Sequence, residues 1–394
     1  MPHTATASGV PAESPRIHGL DTLRALAVTL VVLHHYTLFV SGAPTFGWAG
    51  TIGWTGVDLF FALSGYLIGN QIFAGVKAPG GLALGRFYAR RLLRTLPNFW
   101  AVLALYALWP AWRGAAPMLP LWQYLTFTQN IGLSPGTAFS HAWSLCIEEQ
   151  FYLLLPALAV LGAALGRRGV RLSWAWWALL LAVAAGMIVR AAIWHDVQGS
   201  PSPLRDYYRF IYYASWCRCD ELLAGVALAL VKHRRPGWWA RMLAHGDALL
   251  TAGLAVVGGT FAWFLRDHYG LGPTVLGFPL LGVGFALLIL AALAPGSLLH
   301  RMRVPGAAHL ALWSYAVYLT HRAVSALVAV RMARAGHGVE DAATIGACML
   351  ASLLAGWLLY RVVETPVMRL RARWAPAQVR RPARDDAAAL SPAP

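Results

Sequence analysis

The side chains of this sequence best suited to chemistry sit where charge is least welcome. His34 and His35 end an apolar run, LDTLRALAVTLVVLHHY, that opens with Asp21 and Arg24. An imidazole that is neutral near pH 7 can take a proton from a hydroxyl and give it back, so a buried histidine is a natural general base. The eleven-residue step from Arg24 to His35 is about 1100° of helix rotation, within about 20° of three full turns, so the two share a face. Asp21 lies on nearly the same stripe and is placed to pair with Arg24, while His34 points about 100° away.

Other stretches repeat the pattern. In HAWSLCIEEQFYLLLP, residues 141–156, His141, Ser144, Glu148 and Tyr152 follow at steps of three, four and four on one stripe. Ser314, Tyr318 and His321 share a face in SYAVYLTHR, with Arg322 adjacent. Asp58 interrupts a second apolar run beside Gly65-x-x-x-Gly69, a spacing that lets helices approach closely. Arg218, Asp220 and Glu221 crowd into one turn, and Glu364 follows another run. Each ionisable group inside a membrane costs about 2.5–3.5 kcal/mol, so each needs a partner or a task. Asp58 reads as a structural partner for an Arg on another helix or as a site residue, and Arg218, Asp220 and Glu221 as a cluster neutralised within itself with a surplus negative charge. The row GRFYARRLLRTLP differs, because Arg86, Arg90 and Arg94 recur on one face with Arg91 beside them. Such guanidiniums hold charge on one side of a membrane, and they also offer bidentate donors to the phosphates of a carrier such as coenzyme A.

Transmembrane helices must position these groups. The 394 residues are 58% hydrophobic and only 12% charged, with mean hydropathy +0.55, against about 25% charge in soluble domains. Ten windows are long enough to cross a bilayer: 19–40, 52–74, 92–112, 143–165, 173–194, 210–231, 248–265, 274–294, 308–330 and 341–363. The reading is an all-α polytopic bundle of about ten spans, with a short tail at 1–17, a membrane domain at 18–366, and a basic, disordered tail at 367–394. Segment 117–131 is too short and polar to span and reads as re-entrant or interfacial. With both termini cytoplasmic, the inner segments carry 21 Arg and Lys against 6 outside, a strong positive-inside bias. The net charge of +16 therefore reads as topology rather than nucleic-acid binding. The cysteines show no metal-ligand spacing, and H-E-x-x-H, the G-x-S-x-G elbow and the P-loop are absent. No metal site is expected.

Seven motifs in order now resemble one family: LDTLRALAVTLVVLHH at 20–35, GVDLFFALSGYLI at 56–68, RFYARRLLRTLP at 86–97, HAWSLCIEEQFYLLLP at 141–156, RCDELLAGVALA at 218–229, SYAVYLTH at 314–321 and VVETP at 362–366. Over roughly 18–366 the sequence resembles the acyltransferase-3 family of integral membrane O-acyltransferases. The resemblance implies transfer of an acyl group, often acetyl, from acyl-coenzyme A to a carbohydrate or glycosylated acceptor. It implies that His35 is essential, that Arg24 with Arg86, Arg90 and Arg91 helps hold the donor, and that Glu148 belongs to the core of the site. Some members carry a fused esterase-like domain of the SGNH type. This chain leaves no room for one, so its bundle is expected to act alone or with a separate partner.

On that basis His35 is the base at the acceptor hydroxyl, with Glu148 or Asp21 orienting a protonated partner and His321 or Tyr318 steadying developing charge. No cofactor is bound permanently, since acyl-coenzyme A is a substrate, and the expected location is the bacterial cytoplasmic membrane. A proton-coupled secondary transporter would also bury such residues, but no inverted repeat supports one.

Overall fold

The computed structural model describes residues 16–167 and 174–374, which are helical throughout their regular parts. Eleven helices organise them: α1 His18–Tyr36, α2 Thr55–Lys77, α3 Leu84–Leu108, α4 Trp143–Arg167, α5 Trp174–Gln198, α6 Asp220–Arg234, α7 Gly246–Arg266, α8 Phe278–Leu293, α9 Ala307–Arg334, α10 Ala342–Leu359 and α11 Thr365–Trp374. Turns and helices of three to eight residues join them.

Among the described residues, seven helices are long and apolar enough to cross a membrane, fewer than the ten windows read from sequence. The three that fall short do so for separate reasons. Helix α3 has 25 residues, but its first half carries the arginine row. Helix α9 has 28 residues and keeps His321, Arg322, Arg331 and Arg334 along its length. The window at 210–231 is broken, because residues 208–212 and 215–217 form separate irregular turns before α6, which is only 15 residues long. The chain is nonetheless a multi-pass membrane protein. Helix α5 makes the point, with a window of mean hydropathy 1.9 of which only 6% is buried by protein. Its exposed Leu180, Leu181 and Ile188 need a lipid neighbour.

Helix α1 packs against α2 and α9, and α2 lies closest to α6. A β-carbon on Gly65 would overlap the Leu222 carbonyl, and one on Gly225 would overlap that of Ala62. The small-residue spacing at Gly65 thus serves an α2–α6 contact. The same contact brings Asp58 to Arg218, both wholly buried, with the guanidinium enclosed by Phe278, Tyr212 and Trp143. Asp220 is not neutralised within its own turn. It receives a bidentate pair from Arg190 of α5 at 2.5 and 3.1 Å.

Segment 117–131 folds back on the bundle, burying Tyr124, Gln129 and Asn130. Residues 367–374 of the expected basic tail continue as α11. Its remainder, the tail at 1–15, and Arg168 and Arg171 of the charge count lie outside the described residues.

Candidate active site

A cavity of about 380 Å³ opens between α1, α2, α3, α4, α9 and α11 at the arginine-rich end of the bundle. Arg24, Arg90, Arg91, Arg94 and Arg371 line it, against one lining carboxylate, Glu148. The local sequence explains the arrangement. Arg90, Arg91 and Arg94 follow one another on the wall formed by α3, and Arg24 arrives from the inner part of α1.

Acidic neighbours fix some of these guanidiniums. Arg91 lies 3.8 Å from Glu148 and 3.9 Å from Glu149, with its guanidinium 3.8 Å above the Tyr152 ring. Arg94 pairs with the buried Glu364 at 3.3 Å, and Asn98 donates to that carboxylate at 2.7 Å. Glu148 accepts from Ser64 at 3.1 Å and from Tyr152 at 2.9 Å. Charge-assisted bonds of this kind hold side chains in place before any ligand binds.

The cavity stops at Tyr318 and Ser144. Tyr318 donates its hydroxyl proton to the His141 carbonyl, so the 2.6 Å contact with Ser144 must be donated by the serine. Both atoms of the Tyr318 hydroxyl are thereby engaged, and it has no proton left for a developing oxyanion. Its ring sits 6.0 Å from that of His321 and 5.8 Å from that of His141. Tyr318 thus stands between the arginine cavity it lines and the rings of His141 and His321.

Beyond that partition, His35 of α1 meets His321 of α9, with Nδ1 of the first 2.6 Å from Nε2 of the second. The His141 ring lies 5.9 Å from that of His35 and 5.6 Å from that of His321. His35 is half-buried and also touches Phe39. The Arg322 guanidinium stacks 3.9 Å over Phe39 and donates to Ser140 at 2.8 Å.

The structure thus divides the predicted site residues into two groups. His35, His321 and His141 come together in one place. Arg24, Arg90, Arg91 and Glu148 come together in the other, and Tyr318 stands between. Along α1, Arg24 and His35 are about 16 Å apart, at ~1.5 Å per residue. Arg86 is exposed and lies outside the cavity. Asp21 does not reach His35. Its carboxylate accepts from Arg16 at 2.6 Å, about 21 Å down the helix from the histidine at ~1.5 Å per residue. Arg371, missed in the sequence reading, lies in a stretch assigned to the tail, where its one signal was basic residues on alternate positions.

Membership follows from comparison with known proteins. Residues 17–361 match the family model described as an acyltransferase domain, and the chain belongs to the acyltransferase-3 family. Among curated proteins, a putative peptidoglycan O-acetyltransferase of Bacillus subtilis is 33% identical over 232 residues, covering 55% of this chain and 33% of that protein. A peptidoglycan O-acetyltransferase of Listeria monocytogenes is 31% identical over 235 residues, covering 55% of this chain and 34% of that protein. The chain thus spans about a third of the length of these relatives. No solved structure matches it at a significant level.

Proposed function

We propose that this protein is a membrane O-acyltransferase that moves an acetyl group from acetyl-coenzyme A to a hydroxyl of a cell-surface carbohydrate, with His35 as general base. The observation that carries the reading is the pairing of a five-arginine cavity with a histidine cluster one side chain away. A cavity with a large excess of guanidinium selects a polyanion, and the phosphates of coenzyme A supply one. Its volume is at the small end of ligand sites, which suits an acyl-pantetheine arm entering from a nucleotide held at the mouth.

In this reading the arginine-rich end faces the cytoplasm of a bacterium, as the positive-inside bias expects. The donor phosphates contact Arg24, Arg90, Arg91, Arg94 and Arg371, and Arg86 is left out. The pantetheine arm extends along Ser64 and Glu148 towards Tyr318, whose ring must turn aside for the thioester to reach His35. The acceptor arrives from the opposite side, where His35 is half-buried rather than sealed. His35 takes the hydroxyl proton as the oxygen attacks the thioester carbonyl. The C–O bond forms, the C–S bond breaks, and the proton passes to the departing thiolate. The names of the two relatives point to peptidoglycan as the glycan to try first.

The test is reconstitution in vesicles loaded with labelled acetyl-coenzyme A, with glycan fragments outside. The wild type should deposit label covalently on the glycan and release coenzyme A inside. Folded His35→Ala protein should lose at least about 100-fold of that rate, the usual scale of general-base catalysis. Equal transfer by the variant, or passage of intact substrate with no new bond, would reject the reading.

A further inference from the structure

The bonds around His321 fix which nitrogen of His35 is free to act. His321 Nδ1 lies 3.0 Å from the carbonyl oxygen of Val317, one turn back on α9. A carbonyl has only lone pairs to offer, so the proton of that bond belongs to His321 Nδ1. A neutral His321 then presents a bare Nε2, and that atom lies 2.6 Å from His35 Nδ1. The two ring planes are 2° apart and the centroids 4.9 Å apart. That separation equals the N···N distance plus the two ring radii, the largest value the contact permits. The imidazoles are therefore edge to edge in one plane, with the hydrogen bond along the lone pair of His321 rather than face on face.

We infer that His321 is a positioning residue that holds the proton of His35 on Nδ1 and so leaves Nε2 as the basic atom. The inference rests on the reading of His35 as the base. It assigns His321 a task distinct from contact with substrate, and no step of the reaction needs it at the acyl group. When His35 Nε2 takes the acceptor proton, its Nδ1–H can pass to His321 Nε2. The positive charge then moves to His321, whose Nδ1–H still donates to Val317. Return of that proton restores His35 Nδ1–H, and His35 Nε2–H is released to the thiolate, so each turnover ends with both rings neutral. Neighbouring histidines lack this connection. His34 Nδ1 meets the Gly50 carbonyl at 2.8 Å, and His141 Nε2 meets the Leu319 carbonyl at 3.3 Å. Each is tied to a backbone oxygen that holds a proton in place but cannot receive one.

The tautomer is directly measurable. In protein carrying 15N-labelled histidine in lipid nanodiscs, His35 should show a protonated Nδ1 and a bare Nε2. His321→Ala should move the His35 proton to Nε2, and His321→Gln should leave it on Nδ1, because the glutamine oxygen accepts where His321 Nε2 did. Turnover of the His321→Ala enzyme should fall about 100-fold with KM within about twofold, and His321→Gln should recover about tenfold of that loss. Size-exclusion profile and acyl-coenzyme A binding identify folded variants. A protonated His35 Nε2 in the wild type, or a folded His321→Gln protein no faster than His321→Ala, would overturn the positioning role even if His35 stays essential. Full transfer by His35→Ala with the wild-type tautomer as inferred would instead overturn the base assignment beneath it.

Discussion

Removing one partner of the Asp58–Arg218 pair tests how the bundle supports charge away from the histidine cluster. Both side chains are completely buried, and the guanidinium has one further bond, to the Tyr212 carbonyl at 3.4 Å. In Asp58→Leu, the Arg218 charge remains enclosed by Trp143, Tyr212 and Phe278. Stranding one member of a buried pair costs about 3–5 kcal/mol. Glu221 lies beside the same pair and interacts electrostatically with both members, so its carboxyl takes up part of the loss. We therefore expect about 3 kcal/mol for Asp58→Leu, the lower end of that range. Replacing both partners, Asp58→Leu with Arg218→Met, should cost less than about 1 kcal/mol, because the desolvation of both ions is removed together. Equilibrium unfolding in mixed detergent micelles, run as a double-mutant cycle, gives the coupling energy. Single variants within 0.5 kcal/mol of wild type on that order-of-magnitude scale, or a double variant as unstable as the sum of the singles, would refute the pairing as a source of stability.

Two further outcomes follow from the cavity and the helix contact. Arg91→Met should weaken acyl-coenzyme A binding by about 10-fold or more, since one bond to a charged group contributes about 1.5–3 kcal/mol, while acyl-pantetheine without phosphates should bind both proteins alike; isothermal titration against the two ligands checks it. Gly65→Val should lower stability by about 1–3 kcal/mol through overpacking against Leu222, whereas Gly162→Ala, inside α4 with no described atom within 4 Å of the added carbon, should raise stability by about 0.5–1 kcal/mol through helix propensity in the same unfolding assay.

What could be read from the sequence was what one helix carries by itself. Ser144, Glu148 and Tyr152 line one wall of the cavity as their stripe implies, and Arg90 and Arg94 line another with Arg91, whereas Arg86 stays outside and His141 sits in a short turn ahead of α4. Apolar composition did not reveal that residues 208–217 break into irregular turns ahead of α6, one reason the described residues hold fewer long apolar helices than the ten windows read from sequence. Partners between helices carried no such signal. Asp21 and Arg24 share a stripe, but Arg16, five residues before Asp21, reaches its carboxylate at 2.6 Å, a competitor that periodicity does not rank.

The same limit hid the most consequential contact. His35 and His321 are 286 residues apart, and period alone shows only that each lies on a polar face of its own helix. Which nitrogen meets which depends on how α1 and α9 pack and on the Val317 carbonyl one turn back. The two ends of the site are thus joined by a single helix. Tyr318 lines the arginine cavity, and three residues later, on the same face of α9, His321 meets His35. Under the proposed function, a donor that displaces the Tyr318 ring breaks its hydroxyl bonds to the His141 carbonyl and Ser144, so arrival of the thioester would be felt within one turn of His321 on the same helix.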